Sequence, residues 1–339
     1  MTPFFPHLAA DFQRLLARLQ GRRVAVVGHA RPDGDCIGSQ VGLARLLAGT
    51  GLDVTCVNAD AVPRRLEFLA KGMTFVRADD MLRDTCDYAA VFVDSADHAR
   101  PGERLRARFP APVGNIDHHL SNVGYAEVNI VDSGAAATSE ILAGLAFDLG
   151  LPVDAQAAQG FYTGIVTDTG QFRYASTTRR TFLLAAELLA CGAHPPEVGF
   201  ELYERESTGK LALLQHYLAS LRLECDGRVC IGTLANGIFA QTGTTVEDTE
   251  GLVDYARSID GVDVGVLIEE RTDGTVKASL RARDAAYRLD RIAAQFNGGG
   301  HACAAGLNLK KDTENFYARL VAALAKQIAV VDAQGKAAP

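Results

Sequence analysis

The first half of the chain alternates short apolar or β-branched runs with helical stretches, and this alternation restricts the fold more than any other feature. The runs are RVAVVGH, LDVTCVN, YAAVFVDSAD and PVGNIDHH, with a helical pattern from about Gly38 to Ala48 between the first two. Continuously apolar strands separated by helices indicate an α/β fold whose doubly wound, mostly parallel sheet is buried on both faces. Such a sheet binds ligands beyond the carboxyl ends of its strands. Asp33, Asp94 and Asp117 stand just past such ends, so the fold would gather them into one crevice.

From about Thr138 to Ser220 the pattern is mostly helical, with TSEILAGLAFDLGL, AQAAQGFYTGIVTDTG, TRRTFLLAAELLACG and STGKLALLQHYLASL as candidates. The segment CGAHPPEVG interrupts them, because a helix cannot run through Pro195-Pro196 without distortion. The remainder reads as a smaller α/β domain with antiparallel hairpins that turn at Asp226-Gly227 and Asp273-Gly274, and with a last helix near Glu314 to Lys326. At 339 residues two domains are expected. We place a catalytic domain at 1–190, a helical linker at 191–219, a substrate-binding domain at 220–330 and a flexible tail at 331–339.

Composition narrows the function. With 48% hydrophobic and 22% charged residues and no uninterrupted apolar span, the chain reads as soluble and cytoplasmic, without a membrane partner. Seven scattered cysteines with no CxxC spacing argue for free buried thiols rather than a disulfide scaffold or zinc ribbon. A net charge of -7 disfavours a groove for long duplex nucleic acid, whose binding rests on Lys and Arg neutralising phosphates.

Four clusters carry the chemistry: His29/Asp33/Asp35, Asp94, Asp117/His118/His119 and Asp168. Carboxylates and imidazoles packed this densely would repel or desolvate one another without a cation, and they supply enough ligands for two metal ions. Each has a plainer reading alone: Asp33 and Asp35 as caps of the next helix, Asp94 as a strand-end turn, the triplet as a polar turn, Asp168 as a cap. Asp97 and His98 could also ligate, with no reason to prefer them.

Taken together, HxxxDxD, an aspartate after an apolar strand, DHH and TDTGxFRY resemble the DHH family of phosphoesterases. The late segment GGGHACAAG resembles the motif of the DHH-associated C-terminal domain, so the likeness runs from about Val24 to Leu309. Within the family the chain most resembles the nano-RNase and pAp phosphatase branch. That branch degrades short oligoribonucleotides and linear dinucleotides and removes the 3′-phosphate of 3′-phosphoadenosine 5′-phosphate (pAp). The resemblance implies that His29, Asp33 and Asp94 hold one metal and Asp35, Asp94, His118 and Asp168 a second, with manganese as the usual ion and magnesium or cobalt as substitutes. Asp94 would bridge, Asp117 would orient its neighbours, and His119 would meet the substrate phosphate.

Cations roughly 3.5–4 Å apart would activate water and clamp the oxygens of an in-line displacement at phosphorus, so no covalent intermediate is needed. In the second domain the resemblance implies substrate binding by Arg281, with Arg283 as alternate, and by Gly298, Gly299, Gly300 and His301. Glycines let backbone N–H groups approach a phosphate, and His301 is expected at the start of a helix, where anions bind; a tight turn ending LDRIAAQF is the plainer reading. Arg173 is either a substrate contact or a surface arginine. The implied partners are short RNA oligonucleotides, dinucleotides and pAp, held in a cleft between the domains; the oligomeric state stays open, a homodimer among the options.

Other readings remain at this stage. An inorganic pyrophosphatase or polyphosphatase shares the N-terminal motifs, but the chain lacks a motif of the SRKKQ sort and has GGGHACAAG instead. A DNA exonuclease fits the acidic balance poorly, and membrane-bound cyclic-dinucleotide phosphodiesterases carry membrane segments not seen here. A nucleotide-binding regulator without turnover would be expected to lack a ligand, yet every ligand position holds a competent residue.

Overall fold

The computed structural model describes residues 3–310 and 316–335. Contacts divide the chain into two units, Met1–Arg205 and Glu206–Pro339. The expected boundary was near 190, but Val198 and Leu202 of the 191–219 segment are buried in one cluster with Ile37, Val41 and Val166, so its first part packs within the first unit. The preceding helix ends at Ala190 and is closed by Gly192 at φ 102, ahead of Pro195 and Pro196, which open the next one, Pro195–Gly199, where a missing N–H costs nothing.

The first unit is built on six parallel strands, β1 (Arg23–Val27), β2 (Val54–Asn58), β3 (Phe75–Arg77), β4 (Tyr88–Val93), β5 (Gly114–Asp117) and β6 (Val128–Val131), ordered β3-β2-β1-β4-β5-β6. The strand order reverses between β1 and β4, which makes their carboxyl ends the topological switch point. The apolar runs are explained by burial on both faces. In β4, Ala89, Val91 and Val93 enter one core while Ala90 and Phe92 enter the other. β3 and β6 escaped the sequence reading because they are short and lack a continuous apolar run.

Helices α1 (Ala9–Leu19), α2 (Gly34–Gly49), α3 (Thr138–Asp148), α4 (Ala155–Asp168) and α5 (Arg179–Ala190) contribute to the larger core. α2 begins at Gly34, four residues earlier than its periodicity suggests. α2 and α4 pack backbone to backbone: a Cβ on Gly38 would lie 2.3 Å from the carbonyl oxygen of Gly160. Only glycine permits this approach, and it brings the start of α2 beside the end of α4.

The second unit holds α6 (Thr208–Ala219), α7 (Leu252–Ser258), α8 (Leu289–Ala294) and α9 (Phe316–Gly335). Its sheet comprises β7 (Arg222–Glu224), β8 (Val229–Leu234), β9 (Val264–Glu270), β10 (Thr275–Ala282), β11 (Gly299–Gly300) and β12 (Ala304–Lys310), ordered β11-β12-β10-β9-β8-β7. Both expected hairpins form: β7–β8 turns through Cys225, Asp226 and Gly227, all at positive φ, and β9–β10 turns at Gly274, φ 78. The pair β8–β9 is parallel, a crossover the reading of hairpins alone did not anticipate. α9 continues to Gly335, so residues 331–335 of the expected tail are helical; Glu314 and residues 336–339 lie outside the described residues. All seven cysteines are free, but only Cys36, Cys56 and Cys230 are buried, which corrects the expectation of uniform burial. Among the described residues no helix is long and apolar enough to cross a membrane.

Candidate metal centre and active site

The six candidate ligands converge at the carboxyl ends of β1, β4 and β5. His29 follows β1, Asp94 follows β4, and His118 follows β5, while Asp33 and Asp35 open α2 and Asp168 ends α4. Ligand atoms of His29, Asp33 and Asp94 lie within 4.8 Å of one another, and so do those of Asp35, His118 and Asp168. Asp94 faces both groups: its Oδ2 is 3.3 Å from His29 Nε2 and its Oδ1 is 3.6 Å from His118 Nε2. A third group, Asp94, His118 and His119, meets the same spacing, so His119 also stands within ligand reach.

The plainer readings hold for some of these residues without removing them from the cluster. Asp33 is the N-cap of α2, accepting from the Cys36 N–H at 3.1 Å, and still lies 3.7 Å from His29 Nε2. Asp35 is no cap. It is fully buried in the first turn of α2, and its carboxylate is held by the N–H groups of Thr138 at 2.6 Å and Ser139 at 2.9 Å, at the start of α3. The first N–H groups of a helix have no intrahelical partner, and here they bind the protein's own carboxylate. Asp94 takes a positive φ of 54, a strained backbone for a residue with a Cβ, and accepts from the Thr138 hydroxyl at 3.1 Å. Asp97 and His98 have structural partners: Asp97 accepts from the Ala99 N–H, and the His98 ring bonds the Phe109 carbonyl and stacks on Tyr125.

The electrostatics are those of a cation site. Burial, with the charge of Asp94 added, pushes the Asp35 carboxyl up to about 6. Burial and the neighbouring Asp35 raise Asp168 well above the usual carboxylate range. For His118, burial opposes the charged ring but Asp168, Asp94 and Asp35 outweigh it, raising the imidazole to about 11. For Asp94, burial works upward, yet the close imidazoles of His29 and His118 win and lower it. His29 Nε2 is buried and, although 3.3 Å from Asp94, makes no hydrogen bond of acceptable geometry. A buried nitrogen without an aligned partner, amid hard carboxylate oxygens, fits a divalent metal of the borderline type. Nδ1 of the same ring lies 2.9 Å from the Ala30 carbonyl, the outer contact that typically orients a ligating imidazole.

Behind the cluster lies a relay that the sequence reading saw only in part. Asp117 is fully buried; its Oδ1 is 2.7 Å from His119 Nδ1 and its Oδ2 accepts from the Asn122 amide at 2.7 Å. Asn122 also donates to Asn115 and to the Ser95 carbonyl. Asn122, Thr138 and Ser139 were not singled out from sequence; the one local signal was the polar pair opening an otherwise apolar helix. Arg173 is exposed and donates to the Gly170 carbonyl at 2.7 Å, a turn contact that agrees with its plainer reading.

In the second unit, Arg281 on β10 pairs in register with Ala304 on β12 and donates to the Leu280 carbonyl. The expectation that His301 begins a helix is corrected. Gly299–Gly300 and Ala304–Lys310 form a hairpin, closed by His301 N–H to Ala304 O at 2.7 Å and Ala304 N–H to His301 O at 3.2 Å. The glycines serve strand approach: a Cβ on Gly298 would lie 2.4 Å from the Gly306 carbonyl oxygen, and Gly300 has φ 142. A Cβ on Gly299 would meet no atom within 4 Å. No helix dipole therefore aids anion binding at His301; strand register instead sets Arg281 and His301 on either side of Ala304 in β12.

The DHH family N-terminal domain matches residues 23–165 and the DHHA1 domain matches residues 226–329. Over 90% of its length the chain is 32% identical to the bifunctional oligoribonuclease and PAP phosphatase NrnA of Thermus thermophilus, covering 90% of that protein. The chain belongs to the DHH family. This DHH protein is also 30% identical to the probable bifunctional oligoribonuclease and PAP phosphatase NrnA of Streptococcus mutans, over 90% of this chain and 95% of that one. Among solved structures, an exopolyphosphatase-related protein from Bacteroides fragilis superposes with a TM-score of 0.87 at 25% identity, covering 96% of this chain and 98% of that one. Metal dependence comes with the DHH family, and the acidic and histidine clusters of this chain are suited to it.

Proposed function

We propose that this DHH protein hydrolyses phosphate esters of small ribonucleotides, degrading short oligoribonucleotides and linear dinucleotides to mononucleotides and converting pAp to AMP. The observation that carries the reading is Asp94 turning one carboxylate oxygen to His29 and the other to His118, between two ligand groups. The names of the relatives, which match along nearly the whole chain, support the substrate class.

His29, Asp33 and Asp94 would hold one divalent cation, and Asp35, Asp94, His118 and Asp168 a second, with manganese the proposed ion. Bound there, such cations would supply an acidified water and offset charge building on the phosphoryl oxygens. The protein's own part is positioning. The Thr138 and Ser139 N–H groups fix Asp35, and the Thr138 hydroxyl fixes Asp94. Asp117, held by Asn122, orients His119 through Nδ1, and His119 would meet the phosphate. Arg281 and the Gly298–His301 loop are proposed to hold a terminal phosphate or the nucleotide. That would favour short substrates.

The test offers purified protein with manganese five substrates in parallel: pAp, linear diadenylate, linear diguanylate, a five-mer RNA and pyrophosphate, with Asp94→Ala as control. AMP and phosphate from pAp and mononucleotides from the dinucleotides are expected. Faster turnover of pyrophosphate than of any nucleotide would overturn the reading, and an active Asp94→Ala would remove Asp94 from its role.

A further inference from the structure

Between the candidate ligands His29 and Asp33 the chain runs Ala30-Arg31-Pro32, and Arg31 occupies the left-handed region at φ 55. A residue with a Cβ is strained there, and glycine would not be. Two hydrogen bonds hold the loop in this state. The Arg31 N–H donates to Asp60 Oδ2 at 2.7 Å, and the Ala30 N–H donates to the Arg100 carbonyl at 2.9 Å. The loop after β1 is thereby joined to the loops after β2 and β4, the rim of the switch point.

Arg31 and Arg100 are both exposed, and among the described residues neither guanidinium has an ion pair or hydrogen bond. The nearby acids are engaged elsewhere, Asp60 with the Arg31 N–H, Asp97 with the Ala99 N–H and Asp33 with the Cys36 N–H. In a chain of net charge -7, two arginines without partners beside a phosphoesterase centre call for an anionic ligand. The strained backbone sharpens the point, because the side chain is the only thing arginine supplies that glycine would not.

We propose that Arg31, flanked by Arg100, binds a substrate phosphate other than the one being cleaved. This rests on the activity proposed above, in which the reacting phosphate is taken by the cations and His119. Arg31 lies two residues from each flanking candidate ligand and is exposed, so its side chain is available to the next phosphate. Both pAp and a 5′-phosphorylated dinucleotide carry one. The guanidinium presents N–H donors in a planar fork that matches two phosphate oxygens.

The experiment compares pAp with adenosine 3′-monophosphate, which lacks the second phosphate, using the full-length protein and manganese. Wild type should prefer pAp. In Arg31→Ala the ratio of the two kcat/KM values should fall by about tenfold or more, mainly through KM, as expected for loss of a charge-assisted hydrogen bond. Arg31→Lys should keep part of the preference. Arg31→Gly separates side chain from backbone: relieved of strain, it should melt no lower than wild type yet lose the preference as alanine does. A wild-type ratio in either the alanine or the glycine variant overturns the proposal. Calorimetric titration of pAp reads the same contact without turnover. Tenfold weaker pAp binding in Arg31→Ala alongside no hydrolysis by wild type would sink the proposed activity and support this contact, whereas equal affinity in the two proteins would sink the contact.

Discussion

The N–H of Thr138 donates to Asp35 Oδ2 at 2.6 Å, across 103 residues of sequence. With the Ser139 N–H on the other oxygen, both acceptor atoms of Asp35 are fixed by the open end of α3. Asp35→Asn keeps one acceptor but sets an NH2 group against those donors and removes the charge a cation needs. Orienting groups around a metal site are worth about 10–100-fold, and a direct ligand at least as much. Turnover should fall by ~100-fold or more with a matching loss of bound metal by atomic absorption; normal metal content would remove Asp35 from the ligand set.

Gly164 of α4 tests how the helices frame that carboxylate. A Cβ there would lie 2.1 Å from Ser139 Oγ and 2.6 Å from Asp35 Oδ1. Alanine in a helix normally gains up to about 1 kcal/mol over glycine, but overpacking a tight site costs about 1–3 kcal/mol. The clash should win, lowering the melting temperature of Gly164→Ala by several degrees and weakening metal uptake. A melting temperature above wild type would show that the helices can separate at no cost.

Asn122 acts through Asp117 on His119. Asn122→Ala should lower kcat by roughly 10–100-fold while bound metal stays near the wild-type level, the magnitude typical of an orienting contact. A rise in KM with kcat unchanged would mean that the relay serves substrate binding instead.

Metal uptake should release protons. In the metal-free protein His118 is raised to about 11 and keeps its proton through neutrality, while Asp35, raised to about 6, and Asp168, raised above the usual carboxylate range, take theirs up earlier than free carboxyls as pH falls. Ligation requires those protons to leave. The free protein thus binds more protons than the loaded one, and apparent affinity must rise with pH from about 5 upward through 8. Calorimetry in buffers of different ionisation enthalpy reads the release directly; affinity that stayed flat or fell with rising pH would contradict it.

Much of the site was legible because its residues punctuate strands. Asp94 follows a run whose alternate residues enter opposite cores, and Asp117 closes the buried strand β5; such apolar runs are visible in the chain itself. Asp33 illustrates the limit of local inference: the capping and ligand readings looked exclusive, yet one carboxylate meets both geometries. At GGGHACAAG the local reading failed, because glycines needed for close strand pairing look the same in sequence as glycines that cradle an anion. Thr138 and Ser139 left almost no trace, since a backbone N–H belongs to every residue but proline.

The sequence alone determined the parallel character of the sheet, four of its strands and the positions where the candidate ligands leave them, because hydrophobic period and strand-end chemistry are local properties. Which carboxylates meet was decided only by the tertiary structure. Asp35 reaches Asp168 and the start of α3 because α2 and α4 approach at Gly38 and Gly160, and Asp94 and Arg31 hold strained backbones because segments remote in sequence pin them, Ile116 and Thr138 the first and Asp60 the second. Those are distances between segments remote in the chain, set by packing that no single segment encodes.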